Sequence, residues 1–124
     1  MSSGEDTLSS TMVRVIACNE VEGEFPTRVE LPGLRPLACY RLGDDFFVTD
    51  DICSHGDASL ADGEILPSGE VVCPFHNGTF DIRTGEARRY PCEVAIRTYP
   101  VCIRDEAIWI DGGPAAYSDE ESLA

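Results

Sequence analysis

Cys53-Ser54-His55 and Cys73-Pro74-Phe75-His76 decide how the rest of this chain is read. Each motif sets a soft thiolate beside an imidazole at near-minimal spacing, and residues 56 to 72 separate the two. Two thiolates and two imidazoles supply four ligands, enough for one metal centre. The chain contains only two His, and both sit in these motifs. Thiolate favours iron–sulfur clusters or zinc, while imidazole suits many metals. Zinc fingers usually pair Cys with Cys across two to four residues and His with His across three to five. Here each motif pairs Cys with His, and no flanking segment reads as a helix that would carry a His pair. A zinc-bound interaction module therefore stays open as the lesser reading.

Outward from the motifs the strand signals are short and frequent. Residues 13–18, 27–31, 37–42 and 46–49 read as strands, with Pro32-Gly33 stopping the second. Gly43-Asp44-Asp45 turns the third into the fourth as a hairpin. Residues 71–72 form a short strand leading into the second motif. Residues 79–82 and 86–88 flank a turn at Thr84-Gly85. Residues 97–104 and 107–110 make a last hairpin about Asp105-Glu106. Only residues 19–24 read as a short helical turn. The stretch from Asp50 to Pro74 is rich in Gly, Asp and Ser, and a long irregular stretch in a small domain is usually functional. Evenly spaced short strands with turn signals predict an all-β domain, an antiparallel sandwich or barrel.

Composition narrows the function classes. The chain has 124 residues and a net charge of -14, from 23 acidic and 9 basic side chains. One domain fits this length, with a modest core that a metal centre would help cohere. The acid excess argues against nucleic acid, which needs a basic stripe, and against anionic membranes. It suits steering toward a positively charged protein surface. Residues 1–12 form a flexible, Ser- and acid-rich N-terminal tail, 13–112 the domain, and 113–124 a flexible acidic C-terminal tail. No secretory signal or apolar run of about 18 residues is visible, so a cytoplasmic location is expected. Six Cys in a reducing compartment point to metal binding before disulfides. Cys18, Cys39, Cys92 and Cys102 lie in or beside apolar runs and read as small buried hydrophobes.

Cys53-Ser54-His55-Gly56 and Cys73-Pro74-Phe75-His76-Asn77-Gly78-Thr79-Phe80-Asp81 resemble the two cluster-binding loops of Rieske [2Fe–2S] proteins, in which two His replace two Cys on one iron. The resemblance extends to Leu60-Ala61-Asp62-Gly63, Thr84-Gly85 and Pro91, and covers roughly residues 13 to 111. It is strongest to the small ferredoxins of bacterial aromatic ring-hydroxylating dioxygenase systems. It implies an antiparallel β-sandwich with two cluster-binding loops at one tip. It implies one Rieske-type cluster, with Cys53 and Cys73 on the inner iron and His55 and His76 on the outer. Gly56 and Gly78 would let backbone N–H groups approach the sulfides. Pro91 would sit in a third loop over the cluster, and Phe75 would shield it. Arg88 and Arg89 are weighed as a small basic spot near the tip against plain surface arginines.

The high-potential branch of that family carries an extra Cys in each loop, joined as a disulfide, and a Ser and a Tyr that hydrogen-bond the cluster sulfurs. Here those positions hold Ala58 and Phe75, and Gly78 and Phe80. Losing hydrogen bonds to sulfur lowers the potential, and the Rieske range runs from about -150 to +300 mV. The low end is expected. The resemblance implies a one-electron carrier, not an enzyme. It would take electrons from an FAD-containing, NADH-oxidising ferredoxin reductase and pass them to a terminal oxygenase, as a monomer that docks transiently. No Ser/His/Asp set and no G-x-G-x-x-G loop points elsewhere. The small subunit of a nitrite reductase is the alternative within the resemblance.

Overall fold

In the computed structural model, residues 12–53, 58–75, 77–90, 92 and 94–111 are described, and they build ten short antiparallel strands in three sheets. The first sheet has the order β1-β10-β9, from Met12–Ala17, Ala107–Asp111 and Cys102–Arg104. The second runs β2-β3-β4-β8, from Thr27–Val29, Leu37–Leu42, Asp45–Asp50 and Thr98–Tyr99. The third runs β5-β6-β7, from Glu70–Val72, Thr79–Asp81 and Ala87–Arg89.

Strand β3 explains how the layers stack. Leu37, Ala38, Cys39 and Tyr40 are all fully buried. Side chains alternate across a strand, so such a run is expected only where both faces are covered. Leu37 and Cys39 enter a core with Val15, Val48, Ile108 and Ile110. Ala38 and Tyr40 enter a second core with Leu60, Val71, Phe80 and Ile82. The middle sheet, whose β4 leads to Cys53, thus separates a terminal sheet from the sheet whose β5 leads to Cys73. The Tyr40 hydroxyl meets Thr49 Oγ1 at 2.8 Å, and Thr49 in turn donates to the Asp50 carbonyl. Thr49 has one hydrogen, so Tyr40 donates to it, and both buried hydroxyls are satisfied.

The antiparallel all-β architecture matches the sequence reading, with three local differences. The run 97–104 is two strands: β8 pairs with β4 and β9 pairs with β10. Pro100 has no N–H to give a ladder, and the chain changes sheets there. The expected turn at 19–24 is a single 3-10 turn, Cys18–Glu20. The stretch between β4 and β5 is not wholly irregular; it holds a 3-10 turn at Leu60–Asp62 and bridges Ile52↔Ser59 and Ile65↔Val71. The hairpin turn at Asp105-Glu106 has positive φ at both residues, 53° and 61°, the sign pattern that twisted hairpins prefer. The predicted tails, 1–12 and 113–124, lie outside the described residues apart from Met12.

Candidate metal centre

Cys53 and Cys73 each follow a strand, and each bonds back to a residue beyond its own motif. After β4, the Cys53 N–H donates to the Ala58 carbonyl at 2.9 Å. After β5, the Cys73 N–H donates to the Gly78 carbonyl at 2.8 Å, and the Asn77 N–H donates to the Cys73 carbonyl at 2.9 Å. Asn77 has φ 65°, a conformation that Asn tolerates better than most residues. His55, His76, Ser54, Gly56, Asp57 and Pro91 lie outside the described residues.

The base of the first loop is held by Asp51, which is fully buried. Its carboxylate accepts from Arg28 at 2.6 Å, from the Ser59 hydroxyl at 2.6 Å and from the Ala61 N–H at 2.9 Å. Leu60 N–H donates to the Asp51 carbonyl at 2.7 Å. One acidic residue therefore ties the strand entering the loop to the segment leaving it. Nothing in the sequence reading marked Asp51, because Asp50-Asp51 before a loop looks like ordinary turn chemistry.

The fold brings Cys53 and Cys73 together, and it adds a third thiol. The Sγ atoms of Cys53, Cys73 and Cys92 all lie within 4.8 Å of one another, and all three residues are buried. Cys92 was expected to be a buried hydrophobe; it is buried, but against the cysteines of the two motifs, 4.0 Å from Cys53 Sγ. Its position directly after Pro91, in a loop expected to cover the site, was the available signal. Burial pushes the Cys92 thiol up to about 12, with Cys53 adding to the effect. Cys39 behaves as expected. It lies in the terminal core, and burial pushes its thiol up to about 12. Cys18 and Cys102 are half-buried.

Phe80 and Ala58 pack in the core that contains the three cysteines. The two positions that carry a sulfur-bonding Tyr and a disulfide Cys in the high-potential branch are thus apolar surfaces here. Phe75 is 61% exposed and belongs to no core cluster. Arg88 lies near Asp81 at 3.8 Å and Glu86 at 3.5 Å, so acidic partners stand beside its charge. A surface hollow of about 880 Å³ lies between residues 21–25 and 64–67, and none of the three thiols lines it. Two soft donors close enough to share one metal, in a buried site, fit a cluster and fit electron transfer.

These features define an all-β carrier domain with a thiol-based metal centre. The Rieske [2Fe-2S] domain model matches residues 11–100, and the chain belongs to that family. Its cofactor is a Rieske-type [2Fe–2S] cluster, and it acts as an electron-transfer ferredoxin, not as an enzyme. The ferredoxin component of the p-cumate 2,3-dioxygenase system of Pseudomonas putida is 47% identical over 103 residues, covering 82% of this chain and 86% of that protein. A solved ferredoxin of Sphingomonas yanoikuyae B1 superposes with TM-score 0.77 at 40% identity, covering 80% of this chain and 96% of the other. The ferredoxin in a complex of reduced oxygenase and oxidised ferredoxin of carbazole 1,9a-dioxygenase gives 0.75 at 35% identity, covering 84% and 95%. A candidate NADH-dependent nitrite reductase small subunit from Mycobacterium tuberculosis gives 0.69 at 17% identity, covering 80% and 92%, which shows the fold alone. The zinc reading falls with the family assignment.

Proposed function

We propose that Cys53, His55, Cys73 and His76 hold the cluster, and that the protein is a low-potential one-electron shuttle. It takes electrons from a flavin-dependent NADH:ferredoxin reductase and delivers them to a terminal aromatic-ring-hydroxylating oxygenase. The observation that carries the docking part is the distribution of exposed apolar side chains. Among the described residues six large ones are exposed: Phe25, Ile52, Phe75, Tyr90, Val94 and Ile103. Four of these, Ile52, Phe75, Tyr90 and Val94, lie within two residues of Cys53, Cys73 or Cys92. A monomeric surface rarely gathers its apolar residues without a partner for them. A carrier needs such a patch beside its redox centre, and a small one, because it must release quickly.

The relatives that are ferredoxin components of dioxygenase systems, and the solved oxygenase–ferredoxin complex, support this choice of partners. The absent hydroxyls at Gly78 and Phe80 support the low end of the Rieske potential range. A reducing, cytoplasmic location suits six free cysteines. No helix among the described residues is long and apolar enough to cross a membrane.

The test is a redox titration followed by stopped-flow mixing. The expected results are a midpoint below zero, reduction by an FAD-containing ferredoxin reductase with NADH, and reoxidation by a terminal oxygenase. A midpoint above zero, or a reduced protein that no such oxygenase reoxidises, overturns the reading. Removal of His76 tests the ligand set: His76→Ala is expected to lose the Rieske EPR signature, and a normal spectrum rejects it as a ligand.

A further inference from the structure

The ligand count leaves Cys92 without an iron to bind. A [2Fe–2S] cluster takes four protein ligands, and the two motifs supply all four. Yet Cys92 is placed with care. Its Sγ lies 4.0 Å from Cys53 Sγ, within reach of a sulfur hydrogen bond, and inside the same 4.8 Å group as Cys73 Sγ. Its backbone is fixed by an N–H bond to the Arg89 carbonyl at 3.0 Å.

Gly78, on the second ligand loop, makes room for this sulfur. A Cβ at residue 78 would stand 2.5 Å from Cys92 Sγ, and 2.9 Å from both Arg89 O and Cys92 N. Any side chain at 78 would displace the thiol or the loop that carries it. The loop that lacks a hydroxyl at 78 thus admits a thiol from the third segment.

We propose that Cys92 donates an S–H hydrogen bond to a ligand thiolate, with Cys53 the nearer acceptor, and thereby raises the reduction potential of the cluster. Ligated Cys53 and Cys73 are thiolates with no hydrogen to give, so the thiol of Cys92 is the only donor among the three. A hydrogen bond to an ionised acceptor is stronger than one to a neutral acceptor. Reduction adds negative charge to the cluster and its sulfur ligands, so the bond tightens in the reduced form and favours it. Cys92 acts through its neighbours and is a positioning residue. The proposal rests on ligation by Cys53 and Cys73.

The experiment compares holo wild type with Cys92→Ala and Cys92→Ser by redox titration and EPR. Cys92→Ala is expected to keep a Rieske spectrum and to shift the reduction equilibrium about threefold toward the oxidised form, about 30 mV at 59 mV per tenfold for one electron. Cys92→Ser keeps a hydrogen to donate and is expected to stay at least as easily reduced as Cys92→Ala. A potential unmoved by both substitutions overturns the proposal. So does a rise on Cys92→Ala, or failure of both variants to hold a cluster, which would make Cys92 a purely structural requirement. A wild-type spectrum without Rieske character would instead reject the ligand assignment itself.

Discussion

Asp51 has no exposed surface, yet its carboxylate answers three donors, Arg28, Ser59 and the Ala61 N–H. Its place two residues before Cys53 turns that satisfaction into loop geometry. Asp51→Ala would strand the Ser59 hydroxyl and the Ala61 N–H in a partly buried setting and remove the anchor of Arg28, which is itself partly exposed. Each unsatisfied buried group costs about 1–3 kcal/mol, so the variant is expected to lose about 3 kcal/mol in urea unfolding. It should also hold less cluster per chain by absorbance. Asp51→Asn keeps the shape and one acceptor oxygen but replaces the other with an amide donor, and should lose roughly half as much. Stability within 0.5 kcal/mol of wild type for Asp51→Ala would show that the loop is held by other means. At this scale the sequence was readable wherever chemistry is rare, as with two His and their paired Cys. Asp51 and Cys92 were not readable that way, because a carboxylate or a spare thiol gains its role only from what folding places against it.

The elements around the site are joined by close backbone contact, and Gly63 is the clearest case. It ends the 3-10 turn Leu60–Asp62, and a Cβ on it would lie 1.7 Å from the Val72 carbonyl oxygen. The neighbouring Val72 N–H bond to the Glu64 carbonyl, 3.1 Å, laces this segment to β5 one residue before Cys73. Gly63→Ala must push the two backbones apart. Overpacking of this kind costs about 1–3 kcal/mol or more, and here it opens the strand that leads to Cys73. The variant is expected to unfold at lower urea and to lose its cluster faster to a chelator. Gly23→Ala is the control, because a Cβ there meets nothing within 4 Å; its stability should stay within about 0.5 kcal/mol. Equal behaviour of the two variants would contradict the close-approach account. Most strands were legible from alternation and turn residues. The split of 97–104 was not, since its apolar run continues across Pro100 while the hydrogen-bonding partner changes from β4 to β10. Nor was the pairing of β1 with β10, which joins the two ends of the domain and leaves no local trace.

Across the whole molecule, charge and apolar surface divide the work of recognition. A net charge of -14 gives long-range attraction to a positive partner, while the exposed apolar side chains within two residues of the thiols are the proposed contact surface. Tyr90, 77% exposed, is the clean probe of that contact. Tyr90→Ser should leave stability within about 0.5 kcal/mol and slow electron delivery to the oxygenase about tenfold or more, as expected if it anchors the patch. An unchanged stopped-flow rate would move the docking surface elsewhere. The two cores make a second molecular property testable, namely the response to alkali. Burial pushes the Cys39 thiol up to about 12 and raises the Tyr40 phenol, and burial with the Asp50 contact raises that of Tyr99. At neutral pH these groups keep their protons folded or unfolded. Above about pH 9 the unfolded chain gives them up while the folded chain retains them, so the unfolded state binds fewer protons and stability falls. The fall continues to about pH 12, where the folded Cys39 thiol itself ionises. Each such group costs about 1.4 kcal/mol per pH unit within its window. Urea midpoints should therefore drop steadily from pH 8 to 11, and Cys39→Ala should flatten part of that slope. The general repulsion of an acidic chain would steepen with pH in both proteins alike, so the difference between their slopes isolates the buried thiol. Parallel slopes would mean that Cys39 ionises as easily folded as unfolded, which its place in the terminal core does not permit.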